Sequence, residues 1–159
     1  MKTKKMVLTN IEANNIICNF AKYNQQENVM TMINRITEKS TLQTKWNILK
    51  NLQKVNKIKI AYNWEISKIQ SEYEDNEHST ESIMKDEKGN PVKDEYGDEV
   101  KIRTVKPEYL SEFQKRHHNL MLQENEINFK LISIDDIEDA NPSFADLEML
   151  SFMIDDEDE

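Results

Sequence analysis

The chain has 159 residues, of which 37% are hydrophobic and 32% charged, and it carries a net charge of −9; the length suits one domain spanning 1–159, and the low apolar share predicts a thin core. Its uninterrupted apolar runs are short, as from Phe152 to Ile154, against the roughly 20 residues of a membrane span, and MKTKKMVLT lacks the apolar stretch of a secretory signal. The one cysteine, Cys18, excludes an internal disulfide and, beside Ile16, Ile17 and Phe20, reads as a small buried side chain suited to a reducing cytoplasm.

In chain order, KMVL at 5–8 predicts a short strand. Thr9 and Glu12 then stand at the spacing of a capping box, in which each side chain satisfies a backbone donor at a helix start. Ala13, Ile16, Ile17, Phe20 and Ala21 follow at helical spacing, so a helix is expected from Asn10 to Tyr23. Beyond the polar break Asn24 to Asn28, Val29, Met30, Met32, Ile33 and Ile36 predict a second, short helix.

After Ser40-Thr41 the apolar positions Ile48, Leu52, Val55, Tyr62, Ile66, Ile69 and Tyr73 keep alternating helical intervals, widened by Trp46, Leu49 and Ile58. They predict one long helix. A second begins at Pro107, whose missing N–H suits a first turn, and carries Leu110, Phe113, His117, Leu120 and Ile127. Together they predict a long antiparallel helical hairpin.

Between the helices an eight-residue phrase occurs twice, KDEKGNPV and KDEYGDEV, and it holds the chain's two glycines, Gly89 and Gly97. Each copy sets an aspartate three residues before a glycine free to take positive φ, the composition of a tight turn with a bulge. With the alternating Val100, Ile102 and Thr104, these turns predict a β-meander insertion over 82–105 at the hairpin tip, preceded by the acidic loop Glu74 to Glu81. Phe129, Leu131 and Ser133 alternate as a strand able to pair with Met6 to Leu8. Asn141-Pro142 opens a C-terminal helix over 141–154, followed by an acidic tail at 155–159. The expected class is mainly α with a small β part, an α+β fold with a short terminal strand pair.

Charge is polarised. Residues 135–159 hold 11 acidic residues and no lysine or arginine, whereas 39–63 hold six lysines and no acid. Lys50, Lys54 and Lys57 form a basic ridge at helical spacing; with no arginine in the segment, its contact with nucleic acid is expected to be weak and nonspecific at most. The acidic helix offers Phe144, Asp146, Leu147, Glu148, Leu150, Asp155 and Asp156 as partner-binding residues, either docking in a groove or imitating a row of phosphates. The plainer alternative is that Phe144, Leu147 and Leu150 close the protein's own core.

Little else suggests chemistry. The repeat has clustered carboxylates and a glycine, but Asp86-Glu87 and Asp94-Glu95 sit side by side where a calcium loop needs ligands at alternate positions. His117 and His118 are adjacent and so diverge on a helix, the first a core or boundary residue and the second on the surface. No phosphate loop or nucleophile motif is present. Catalytic residues, metal and cofactor are all expected to be absent, although dispersed carboxylates leave a metal-dependent enzyme as a third reading.

The order of motifs carries a resemblance. Leu8 to Glu12, Trp46 to Lys54, Glu65 to Tyr73, Asp86 to Asn90, Ile132 to Ile137 and Leu147 to Ile154 resemble, in sequence, a family of small phage proteins of unknown function. The resemblance implies a phage origin, a place in the host cytoplasm or the virion, and phage structural proteins or a host protein as partners, with self-association left open. It implies no mechanism. The residues themselves favour a non-enzymatic protein that binds other proteins, on the virion or as an assembly accessory; the alternative is an acidic inhibitor that imitates nucleic acid.

Overall fold

In a computed structural model of the chain, residues 2–23 and 29–155 are described. The polar break Asn24 to Asn28, the tail beyond Asp155, and the side chains of Phe20, Ala21, Lys22, Tyr23 and Val29 lie outside the described residues. Helix predominates, accompanied by two separate two-stranded antiparallel sheets. The elements are β1 (Thr3–Thr9), α1 (Asn10–Tyr23), α2 (Val29–Ile36), α3 (Leu42–Glu72), β2 (Ser79–Ile83), β3 (Lys101–Val105), α4 (Pro107–Met121), β4 (Glu124–Lys130), α5 (Asp135–Glu138) and α6 (Phe144–Leu150). No described helix is long and apolar enough to cross a membrane.

The chain divides into two compact units, Met1–Tyr62 with Met121–Glu159, and Asn63–Leu120. In the first, β1 pairs with β4 in the register Met6↔Ile127 and Leu8↔Asn125. Side chains alternate across a strand, so Leu8, Ile127 and Phe129 point to one face and pack with Ala13 of α1 and Val55 of α3. A second cluster joins Met32 and Ile36 of α2, Ile48 and Leu52 of α3, and Leu150, Met153 and Ile154 near the C-terminus. Ile16 and Phe152 pack against both clusters, and Phe152 meets Phe129 edge to face at 5.1 Å.

The expected box at α1 forms: Thr9 N donates to Glu12 Oε2 at 2.7 Å and Glu12 N to Thr9 Oγ1 at 3.3 Å. α3 is docked on β4 by a polar device. Asn51, fully buried, donates through Nδ2 to Lys130 O at 2.7 Å and accepts Lys130 N at Oδ1 at 3.0 Å, so its amide occupies the place of a neighbouring strand.

The second unit contains a run of edge-to-face and tilted ring contacts. Tyr109, His78, Tyr73, Phe113 and His117 follow one another with centroid separations of 4.6, 5.5, 5.0 and 4.5 Å. Arg116 of α4 adds an ion pair to Glu72, in the last turn of α3, and lies over the Tyr73 ring. β2 pairs with β3 from Ser79↔Val105 to Ile83↔Lys101.

Three expected boundaries are corrected. The second long helix stops at Met121, and Ile127 belongs to β4, because Ile127 fits the period of two that it shares with Phe129 as well as it continues the helical spacing from Leu120. The strand placed at Phe129 to Ser133 runs instead from Glu124 to Lys130; it pairs with the N-terminal strand as expected, but Met6 to Leu8 face Ile127 to Asn125, and Phe129 faces Lys4. The C-terminal helix is shorter than 141–154: Asn141 takes φ +48°, Ser143 is the N-cap, and Ser151–Met153 form a 3-10 turn.

Asn51→Ala would leave the N–H and C=O of Lys130 without partners, at about 1–3 kcal/mol for each unsatisfied group. Urea denaturation should show a loss of about 3 kcal/mol, against a few tenths for Gln53→Ala on the exposed side of α3. Replacing residues 85–99 with Asn-Gly between Met84 and Val100 should leave helical circular dichroism and cooperative unfolding intact, because this segment supplies no fully buried side chain.

Candidate functional site

The repeat builds the most distinctive surface feature. In each copy the aspartate accepts a glycine N–H at its carbonyl, Gly89 to Asp86 at 2.9 Å and Gly97 to Asp94 at 3.1 Å. Its Oδ1 also accepts two backbone donors, those of Lys88 and Asn90 for Asp86 and of Tyr96 and Asp98 for Asp94. The backbone donors, Asn90 foremost, hold the Asp86 carboxyl below its ordinary range. Gly89 and Gly97 lie at φ +83° and +87° with open space where a Cβ would stand, so backbone conformation, not crowding, requires glycine.

These turns do not extend a meander. The bridges Lys85↔Pro91 and Lys93↔Glu99 close two short arms, and the β2–β3 pair forms a third. Their bases are joined by a ring of three backbone hydrogen bonds: Met84 N to Val100 O at 2.8 Å, Val100 N to Val92 O at 2.9 Å, and Val92 N to Met84 O at 2.8 Å. The ring residues are eight apart, the period of the repeat, and their apolar character is the signal that the sequence reading overlooked.

The tip displays apolar groups. Tyr96 is 83% exposed at the end of one arm, and Met84 and Ile102 are each 42% exposed. Because their backbones are held by the ring, the turns and the β2–β3 ladder, little ordering remains to oppose binding there. Tyr96 has the character of an interface anchor, a large ring with few rotatable bonds and a polar end.

The acidic helix is largely structural. Asp146, offered above as a partner contact, is completely buried, where Arg35 Nη1 and Nη2 reach Oδ2 and Oδ1 at 3.1 and 3.0 Å and Ser143 N donates to Oδ2 at 2.8 Å. Burial pushes its carboxyl up, but the Arg35 and Ser143 hydrogen bonds outweigh that and hold it below the ordinary aspartate range. Leu150 is likewise buried in the core and Leu147 packs against it, as the plainer alternative has it for these two residues but not for Phe144. Phe144, 84% exposed, and Glu148 face solvent, Asp155 pairs with Lys2 at 2.8 Å, and Asp156 lies outside the described residues. The row of carboxylates needed by a nucleic-acid mimic thus lacks Asp146.

The basic ridge is also partly engaged. Lys54 Nζ donates to Asn128 O, and Lys50 sits over the Trp46 ring at 4.5 Å and donates to Gln53. Lys57 remains exposed beside a groove of about 510 Å³ lined also by Ile58, Asn125 and Glu126. A further cluster, Asp75, Glu77 and His78, gathers ligand-type atoms within 4.8 Å of one another. Its geometry is accounted for by local bonds: Asp75 Oδ1 accepts His78 N at 2.8 Å and lies 2.7 Å from Nδ1. Lys106 and Arg103 both donate to Asn76 within this loop.

No protein-family profile, curated protein or solved structure matches the chain.

The Asp146 carboxylate stabilises the fold above its unfolded pKa, near 3.9, and that contribution disappears as pH falls through the lower folded value. Asp146→Asn should therefore lower stability at neutral pH by about 1–2 kcal/mol, less than for a fully buried pair because the Arg35 side chain left behind is 41% exposed. In urea titrations the deficit relative to the wild type should shrink below pH 4.

Proposed function

We propose that this chain is a non-enzymatic phage protein that works by binding another protein, either on the virion or as an accessory to its assembly. The observation that carries this reading is the three-armed tip, which holds Tyr96, Met84 and Ile102 exposed on a backbone constrained by the closed ring and by two side-chain-capped turns. We read α3 and α4 as an antiparallel hairpin that carries this tip, with phage structural proteins or a host protein as the partner. A phage origin, with a place in the host cytoplasm or the virion, rests on the order of the sequence motifs. Nucleic acid is at most a weak, nonspecific partner, since the hydrogen bonds of Lys50 and Lys54 engage two members of the lysine ridge.

The test is a pull-down from phage-infected host lysate, combined with mass spectrometry of purified virions. The intact protein should recover a defined partner, and a virion role requires stoichiometric presence in the particles. Tyr96→Ala with Met84→Ser should weaken recovery about 30-fold, the scale of losing a hot-spot residue, with the melting temperature unchanged. Equal recovery by the substituted protein would overturn the tip as the binding surface.

A further inference from the structure

The β1–β4 sheet has two edges, and they are treated differently. In register with the ladder, Leu131 N donates to Lys2 O and Asn10 N to Gln123 O, each at 3.0 Å. Even-numbered residues of β1 therefore bond to β4, and Thr3, Lys5 and Val7 turn their N–H and C=O groups away. The outer edge of β4 is met by α3, through Asn51 on Lys130 and Lys54 on Asn128. Thr9 N is taken by Glu12. Among the described residues no backbone partner meets Thr3, Lys5 or Val7, and all three are exposed, Val7 at 53%.

We propose that this free edge of β1 accepts an extended, acidic segment of a partner protein as a third strand. Backbone pairing would supply affinity, and the side chains of β1 would select the occupant. The selection follows from charge: Lys2, Lys4 and Lys5 precede the first acid of the chain, Glu12, and since Lys2 and Lys4 are engaged within the chain, Lys2 with Asp155 at 2.8 Å, it falls to Lys5. Lys5 does meet Glu126 at 2.6 Å, but both side chains are 59% exposed, and so open a pair leaves the ammonium group able to share an incoming carboxylate. The same lysines disfavour a second copy, because antiparallel self-pairing about Lys5 sets that residue against its own counterpart. Val7 gives the strand an apolar position on the outer face. A two-stranded sheet also gains from a third strand. This edge is independent of the tip and belongs to the other compact unit.

The test uses the full-length ¹⁵N-labelled protein and an end-capped peptide of alternating Glu and Val, with its Lys-for-Glu counterpart as control. The acidic peptide should slow amide exchange at Thr3, Lys5 and Val7, and the basic one should not. Val7→Pro removes one outward N–H without touching the ladder and should weaken binding roughly tenfold, the loss of one hydrogen bond, whereas Val7→Thr should bind as the wild type does. Unchanged exchange at the three amides of the wild-type protein would overturn the proposal whether or not the proline variant folds, as would equal binding of the basic peptide. A dimer in sedimentation with those amides already protected would assign the edge to a second copy and overturn the acidic partner.

Discussion

The first compact unit depends on one side chain. Asn51 lies on the helix face that carries Ile48, Leu52 and Val55, where an apolar residue would be expected, yet it is fully buried and pairs with both backbone groups of Lys130. A two-stranded sheet packed against a helix leaves main-chain donors and acceptors that neither water nor a third strand satisfies, and such groups are expensive to bury unpaired. The asparagine amide answers both at once and fixes which turn of α3 faces which residue of β4. With β4 so placed, its pairing with β1 sets where α1 begins, and Phe129 is directed at Phe152 between the two apolar clusters.

The second unit reaches order by a different route. It has few buried aliphatic residues among those described, and its inner contacts include a run of edge-to-face and tilted rings closed by an ion pair at α4. The three-armed tip is stabilised almost wholly by backbone and Asp-to-backbone hydrogen bonds. Such a structure presents exposed apolar side chains from a constrained backbone without needing a core beneath them. That property, more than any constellation of reactive groups, suits a binding role.

Charge that seemed available for partners is in good part used internally. Asp146 closes a capping box and a two-pronged pair with Arg35, Asp155 meets Lys2, and Lys54 meets the edge of β4. Burial of a carboxylate is tolerable here because every element of its environment donates to it. What remains outward is the tip, the face of α3 bearing Trp46 and Lys57, and the free edge of β1.

Local grammar was legible in the sequence because its causes are local. The box at Thr9 and Glu12, the extent of α1 and of α3, the start of α4 at Pro107, and the need for positive φ at Gly89 and Gly97 follow from side-chain spacing and backbone sterics within a few residues. Ser143 and Asp146 carry a similar signal, S-F-A-D, that predicts a cap when read by the same rule. Where an apolar residue satisfied two periods at once, as Ile127 does, only the presence of β1 as a pairing partner decided for a strand. Residues far apart in the chain settled the rest: whether Asp146 faces water or Arg35, that the two turns close a ring and not a meander, that the chain forms two compact units, and which sheet edge is covered. Each of these turns on which distant donor meets which acceptor, and composition and periodicity carry no record of that.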